Sequence, residues 1–201
     1  MKFSKLSLLA LASLTFLASC ESPRARIKGD GEDSIVDDNR AGIAAYDRLV
    51  SESTKEMLAW YTDEVLRGNA PQGLQIAFAG IQNSTNEPLG QWRDELNQII
   101  GTTINNYRGF TSVSPRVVSA ALRQNGQQVD DLLLPAGRET FLNELRRTDN
   151  AVRALVFAQL TSGVSRGGDV REQRYRLTLE MVDTESSIGR SFDATISKEY
   201  R

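Results

Sequence analysis

The chain has 201 residues, 40% of them hydrophobic, which is enough to build one domain with a sizeable core. Its 24 Lys and Arg residues against 26 Asp and Glu residues give a net charge of -2, so the basic excess typical of nucleic-acid-binding proteins is missing. The sequence contains no histidine, which excludes histidine general bases, Ser-His and Cys-His nucleophile pairs and His-ligated zinc sites. The single cysteine, Cys20, excludes an internal disulfide and a Cys-only zinc cluster.

The first twenty residues have the pattern of an export signal. Lys2 and Lys5 precede an apolar run over residues 6–16 that is too short to span a bilayer of about 30 Å as a helix. The run ends in Leu-Ala-Ser-Cys at residues 17–20, which resembles a bacterial lipobox. We therefore predict a lipoprotein signal peptide over residues 1–19 and lipid attachment at Cys20. The alternative is a buried cysteine that follows an ordinary signal peptide.

Removal of residues 1–19 leaves 22 basic and 26 acidic side chains, a net charge of -4, which disfavours electrostatic attachment to a membrane. Acyl chains on Cys20 would anchor the protein instead, since each buried CH₂ contributes about 0.8 kcal/mol. Glu21 follows the cysteine in place of the aspartate that commonly retains Gram-negative lipoproteins in the inner membrane. We expect a lipid anchor on the periplasmic face of the outer membrane. Residues 20–45 are rich in charged residues, Gly and Ser, and are predicted to form the lipidated N-terminus and a flexible linker.

Globular patterning begins at residue 46 and predicts an alternation of helices and strands. Ser114 and Pro115 suit the N-cap and the first position of one helix. Ser187 stands in a predicted hairpin connection, where a glycine would adopt a positive φ at little cost. Helices are predicted over residues 47–66, 90–107, 116–124 and 138–147, and strands over residues 74–81, 109–113, 153–161, 173–183 and 191–200. This order predicts an α/β domain over residues 46–201 in which helices cover a small mixed β-sheet.

Several of these features together resemble a known family. They are the lipobox, the polar linker, the interior strand that runs into Ile-Gln-Asn-Ser-Thr-Asn at residues 81–86, and the C-terminal hairpin whose first strand includes residues 175–183. Asp-Leu-Leu-Leu-Pro at residues 131–135, followed by a helix and a strand, falls where the family places such elements. In this pattern the chain is similar to the LpoB-type peptidoglycan-synthase activator lipoproteins over most of residues 74–201.

The resemblance implies a fold like the amino-terminal domain of TolB and a role in regulating peptidoglycan synthesis, cell-wall biogenesis and cell shape. Members are anchored in the outer membrane, and they bind a class A penicillin-binding protein and stimulate its glycan polymerisation and cross-linking. The resemblance implies no enzymatic activity, and we expect no cofactor, metal, nucleic acid or small-molecule substrate. The alternative is a structural or assembly lipoprotein of an envelope or secretion complex, with a domain similar to curli-secretion or TolB proteins. An enzyme would need a cleft with a strongly perturbed carboxylate.

The first candidate partner-binding site is a concentration of arginines near the C-terminus. Arg166, Arg171, Arg174 and Arg176 surround Tyr175 in a chain that is otherwise net acidic, and Arg with Tyr is typical of interface anchors. The alternative is a solvated strand and loop in which Tyr175 belongs to the core.

The second candidate is the polar loop that follows the interior strand. Asn83, Thr85 and Asn86 lie where α/β proteins often bind ligands or partners. A plain connecting loop is the alternative.

Overall fold

The structure is a computed structural model that describes residues 25–28, 35–36, 43–69, 71–86, 88–89, 92–148, 150–167 and 170–200. The predicted signal peptide, Cys20 and most of the predicted linker lie outside these residues. The predicted boundary at residues 19/20 therefore stays a prediction. The boundary at 45/46 also stays a prediction, and it falls within a described helix that begins at Ile43.

The helices and strands follow the order predicted from residue 46 onward. The strands are β1 (Ala25–Lys28), β2 (Ile35–Val36), β3 (Leu74–Ser84), β4 (Phe110–Ser112), β5 (Val152–Gly167), β6 (Val170–Asp183) and β7 (Gly189–Tyr200). The helices are α1 (Ile43–Trp60), α2 (Trp92–Asn106), α3 (Pro115–Gln124) and α4 (Pro135–Arg147). A π-helical turn (Tyr61–Val65) extends α1, and a 3₁₀ turn (Val129–Leu133) precedes α4.

The strands form one mixed sheet in the order β2-β1-β7-β6-β5-β3-β4. β3 is parallel to both β4 and β5. The chain runs from β3 to β4 through α2, and from β4 to β5 through α3 and α4. Parallel strands need such crossover connections. The remaining neighbours, from β5 across to β2, are antiparallel. The predicted α/β fold with a small mixed sheet and covering helices is confirmed.

Each face of the sheet packs against its own pair of helices. α1 and α2 cover the larger core, which includes Tyr61, Val156, Leu177 and Phe192. α3 and α4 cover a smaller core on the opposite face, built around Phe141, Leu155 and Phe157 with residues of β3. Because side chains alternate along a strand, β5 from Ala154 onward contributes its even-numbered residues to the first core and its odd-numbered residues to the second.

One glycine in β3 permits the close packing of the smaller core. The register with β5 shifts between Phe78 and Gly80, and Gly80 has a φ of +136°. A Cβ at Gly80 would lie 3.1 Å from Val129 Cγ2 in the 3₁₀ turn. Because Gly80 has no Cβ, the 3₁₀ turn can approach β3 closely.

Some local features differ from the sequence predictions. β5 and β6 form a hairpin that extends to Gly167 and Val170, beyond the predicted strands. The sequence did not predict this extension, because the outer residues of the hairpin show no regular apolar alternation. Two short strands, β1 and β2, fall within the span assigned to the linker. Ser114 is the N-cap of α3, but its side chain makes no capping hydrogen bond.

Candidate functional site

One half of a sheet face has no helix over it in the described structure. α3 and α4 pack against β3 and the first part of β5, where Leu155 and Phe157 are apolar and point towards these helices. Beyond that point the same face becomes polar. We call this surface the polar face; its side chains are Gln82, Ser84, Gln159, Thr161, Arg174, Arg176, Thr178, Asp193, Thr195 and Ser197.

The strand register arranges the polar face in rows. One row runs across the four strands through Ser84, Thr161, Arg176 and Thr195, and the next row runs through Gln82, Gln159, Thr178 and Asp193. Neighbouring strands lie about 4.8 Å apart, so a row is about 14 Å wide from β3 to β7. The rows form a platform broad enough for contact with another macromolecule.

Most polar groups on this face already have partners within it. Thr178 Oγ1 donates to Asp193 Oδ1 at 2.5 Å, and Gln159 Nε2 donates to Ser84 Oγ at 3.3 Å. Arg174 donates to Ser197 Oγ at 3.3 Å and to Glu172 Oε1 at 3.2 Å.

Arg176 is exposed and makes no hydrogen bond or ion pair within the described part of the chain. The guanidinium of Arg176 is therefore a cation of the polar face that is available to a partner.

The structure separates the four candidate arginines into two pairs. Arg174 and Arg176 lie on the polar face, whereas Arg166 and Arg171 pair across the end of the β5–β6 hairpin. By the alternation of side chains, Arg166 and Arg171 belong to the opposite face, beyond the core that α1 and α2 cover. All four side chains are exposed, but they do not form one basic surface.

Tyr175 is not part of either exposed surface. Its side chain is 1% exposed and packs in the larger core with Leu177 and Leu160. As an exposed partner-binding residue it is thus ruled out, and the alternative in which it belongs to the core is confirmed. The alternation of β6 contains the signal, because Tyr175 shares its face with Leu177, Leu179 and Met181.

The loop after β3 borders the polar face. Asn83 Oδ1 accepts hydrogen bonds from Thr85 N at 3.1 Å and from Thr85 Oγ1 at 2.7 Å, which form an Asx turn. Asn86 follows this turn and is exposed. The preceding residue of β3, Ser84, belongs to the row that contains Arg176. Asn83 pairs with Leu160 and therefore belongs to the opposite face, so Ser84 alone connects this segment to the polar face.

A buried polar cluster that was not predicted from the sequence lies at the other end of the sheet. Asp183 is 1% exposed, and its Oδ2 accepts from Tyr61 Oη at 2.6 Å and from Arg153 Nε at 2.8 Å. Its Oδ1 accepts from the backbone N–H of Ser186 at 2.6 Å. Arg153 also forms an ion pair with Glu185. The sequence contains a signal only for the contact between Asp183 and Ser186, since an Asp before Thr-Glu-Ser predicts an Asx turn. The contact with Tyr61 joins residues 122 positions apart and has no local signal.

The cluster shifts the pKa values of its members in opposite directions. Burial alone would raise the pKa of Asp183, but hydrogen bonds from Tyr61, Ser186 and Arg153 outweigh it and lower that pKa to about 2. Burial and the hydrogen bond to Asp183 raise the pKa of the Tyr61 hydroxyl well above its ordinary value. Burial would lower the pKa of Arg153, but Asp183 and Tyr61 raise it. Asp183 is therefore ionised and engaged by internal donors, as in a structural junction.

This junction predicts a pH-dependent loss of stability. The pKa of Asp183 falls from 3.8 to about 2 on folding, which corresponds to about 2 kcal/mol of stability at neutral pH. That contribution is complete above the unfolded-state pKa and is lost as the pH falls through about 2. We expect urea unfolding between pH 7 and pH 2 to show a steeper acid loss for the wild type than for Asp183→Asn. Parallel pH profiles would show that Asp183 is not linked to folding.

Neither a metal site nor a spanning helix appears in the part of the chain that the structure describes. No group of three or more His, Cys, Asp or Glu side chains is placed to hold a metal ion there. No helix within the same ranges has both the length and the apolar character needed to cross a bilayer.

Solved structures show what the fold is similar to. The C-terminal domain of LpoB from Salmonella enterica matches 75% of this chain and 96% of its own length, with 16% identity and a TM-score of 0.50. The corresponding domain from Escherichia coli matches 76% of this chain and 96% of its own length, at 16% identity and a TM-score of 0.46. A lipoprotein from Neisseria meningitidis matches 63% and 83%, at 18% identity and a TM-score of 0.46.

At such low sequence identity, the match to the Salmonella domain shows the fold of this chain and nothing more. The chain has the α/β fold of an LpoB C-terminal domain, as the resemblance in its sequence implied. No protein-family model matches the chain, and no curated protein matches it.

Proposed function

We propose that this protein is an outer-membrane lipoprotein that binds and activates a class A penicillin-binding protein and so regulates peptidoglycan synthesis. The observation that supports the proposal most directly is the LpoB-type fold, found in a chain whose first twenty residues resemble a lipoprotein signal. In this proposal Cys20 is acylated, and the domain extends from the periplasmic face of the outer membrane towards the synthase.

The proposed docking surface is the polar face. Arg176 lies in the middle of it, between hydroxyl-bearing side chains at Thr161 and Thr195, and has no acidic partner in the described residues. A guanidinium in such a setting suits a carboxylate of a partner protein, because it can donate two parallel hydrogen bonds. Arg174 is already engaged by Glu172 and contributes less to binding than Arg176.

We propose a binding role without chemistry. The carboxylate with the most perturbed surroundings, Asp183, has its oxygens occupied by Tyr61, Arg153 and Ser186. A catalytic carboxylate needs a free oxygen in a cleft that a substrate can enter. The Asp183 junction instead fixes the β6–β7 turn against the end of α1.

Charge reversal at Arg176 tests the docking surface. We expect Arg176→Glu to weaken binding of the full chain to the synthase by at least tenfold, because a lost charge pair becomes a repulsion. The measurement is surface plasmon resonance with a purified class A penicillin-binding protein, together with far-UV circular dichroism to verify folding.

The matched control is Arg116→Glu, which makes the same charge change at an exposed position at the start of α3. This control should bind within twofold of the wild type. Equal binding by Arg176→Glu and the wild type would exclude the polar face as the docking surface.

A further inference from the structure

The strand β5 extends beyond its neighbour on one side. Its pairing with β3 ends at Thr161 opposite Ser84, whereas its pairing with β6 continues to Gly167. No other described strand pairs with residues 162–167. These six residues therefore form an open sheet edge, next to the point where β3 ends.

The backbone groups at this edge can be assigned from the hydrogen bonds of β5. Thr184 N donates to the carbonyl oxygen of Arg153 at 2.9 Å, so Arg153 directs its backbone groups towards β6. The β5–β6 register has no shift from Ala154 to Gly167. Odd-numbered residues of β5 therefore bond to β6, and even-numbered residues direct their N–H and C=O groups to the other side. At the open edge these are the C=O of Ser162 and both groups of Val164 and Arg166, because the parallel pairing of Ser84 with Thr161 uses the Ser162 N–H as a donor to the Ser84 C=O.

The side chains at the edge define what kind of strand it fits. Val164 is 51% exposed, and it is one of the few large apolar side chains in the described residues that are exposed to this extent. Arg166 is exposed and has no ion pair with a described residue, and residues 162–167 contain no acidic side chain. The exposed Arg171 lies directly opposite Arg166 on β6.

We propose that the edge of β5 over residues 162–167 binds an acidic extended segment of a partner protein by strand addition. The added strand pairs with the outward C=O of Ser162 and with the outward N–H and C=O groups of Val164 and Arg166. An apolar side chain of that strand contacts Val164, and a carboxylate pairs with Arg166. This surface is distinct from the polar face, and the inference holds whether or not the partner is a synthase.

A second copy of the chain suits the same edge poorly. Antiparallel pairing of two such edges about a two-fold axis would place four arginines, Arg166 and Arg171 of each copy, around one short strand pair. A positive charge on an edge strand opposes this kind of self-association. The charge that disfavours a second copy favours an acidic segment.

Fluorescence anisotropy with a labelled peptide tests the proposal. The probe is a ten-residue peptide with Thr at every second position and with Val and Asp or Glu alternating at the positions between, so that apolar and acidic side chains share one face as Val164 and Arg166 do. It is titrated with the purified full chain. We expect saturable binding, at least tenfold weaker binding of the same peptide with Lys in place of Asp and Glu, and at least tenfold weaker binding to Val164→Pro. Proline removes an outward N–H at an edge without removing a bond to β6.

The matched control is Ser191→Pro on the open part of β7. Asp183 N donates to Ile188 O, so even-numbered residues bond to β6 and Ser191 directs its N–H outward. This variant should bind the acidic peptide as the wild type does.

Three results would overturn the proposal. They are no binding of the acidic peptide, equal loss of binding in the Ser191→Pro variant, or a dimer in sedimentation velocity that Val164→Pro dissociates. The last result would assign the edge to a second copy.

Discussion

Replacing Gly137 by alanine is expected to destabilise the protein by about 3 kcal/mol. Gly137 lies in the first turn of α4, and a Cβ there would be 2.0 Å from the carbonyl oxygen of Asp131. The atom that must move is backbone in the 3₁₀ turn, so no side-chain rotation relieves the clash. Urea unfolding followed by circular dichroism measures the effect.

Gly101→Ala is the matched control for this prediction. Gly101 is also a helical glycine, in α2, and a Cβ there would lie 3.5 Å from Ser112 Oγ, an ordinary contact distance. Because alanine is the better helix former, this variant should be more stable than the wild type by about 0.5 to 1 kcal/mol. Equal stabilities of the two variants would show that the 3₁₀ turn is not packed as tightly against α4 as described.

Replacing Asp183 by alanine is expected to destabilise the protein by about 3 to 5 kcal/mol. The substitution leaves the buried hydroxyl of Tyr61 without its acceptor and removes the ion pair between Arg153 and Asp183. It also frees the backbone N–H groups of Glu185 and Ser186 in the β6–β7 turn. Chemical unfolding of the variant measures the loss, and amide hydrogen exchange should locate the first opening at this turn.

An exposed aspartate provides the control for Asp183. Asp193 also accepts a hydrogen bond, from Thr178, but on the exposed polar face. Asp193→Ala should therefore change the free energy of unfolding by about 0.5 kcal/mol. A loss of similar size in both variants would show that burial does not govern the strength of the Asp183 junction.

The sequence predicts most of the fold because its strands and helices differ clearly in periodicity. β3 and the first half of β5 are apolar on both faces, as expected for strands covered on both sides, and β6 alternates. Ser187 has a φ of +58°, so at this place in the β6–β7 turn a serine adopts the conformation that a glycine would take at less cost. The outer half of the β5–β6 hairpin was not predicted, because residues 162–167 combine Gly, Ser and Arg with the single apolar residue Val164 and show no apolar alternation.

The candidate sites depend on which residues lie opposite one another, which a local pattern does not determine. Arg174 and Arg176 could be assigned to one face of β6 from alternation. The row that joins Arg176 to Thr161 and Ser84 follows only from strand register. The separation of Arg166 and Arg171 from them requires knowing that the hairpin extends past residue 161. Tyr61, Arg153 and Asp183 come together only through tertiary packing.

The most direct test of the proposed function is a glycan-polymerisation assay with a purified class A penicillin-binding protein and the full chain. We expect the wild type and Arg116→Glu to accelerate glycan synthesis at least twofold, and Arg176→Glu not to accelerate it. Failure of the wild-type protein both to bind the synthase and to accelerate it would contradict the proposed function. Sedimentation of the wild type as a large oligomer under the same conditions would then favour a structural or assembly lipoprotein.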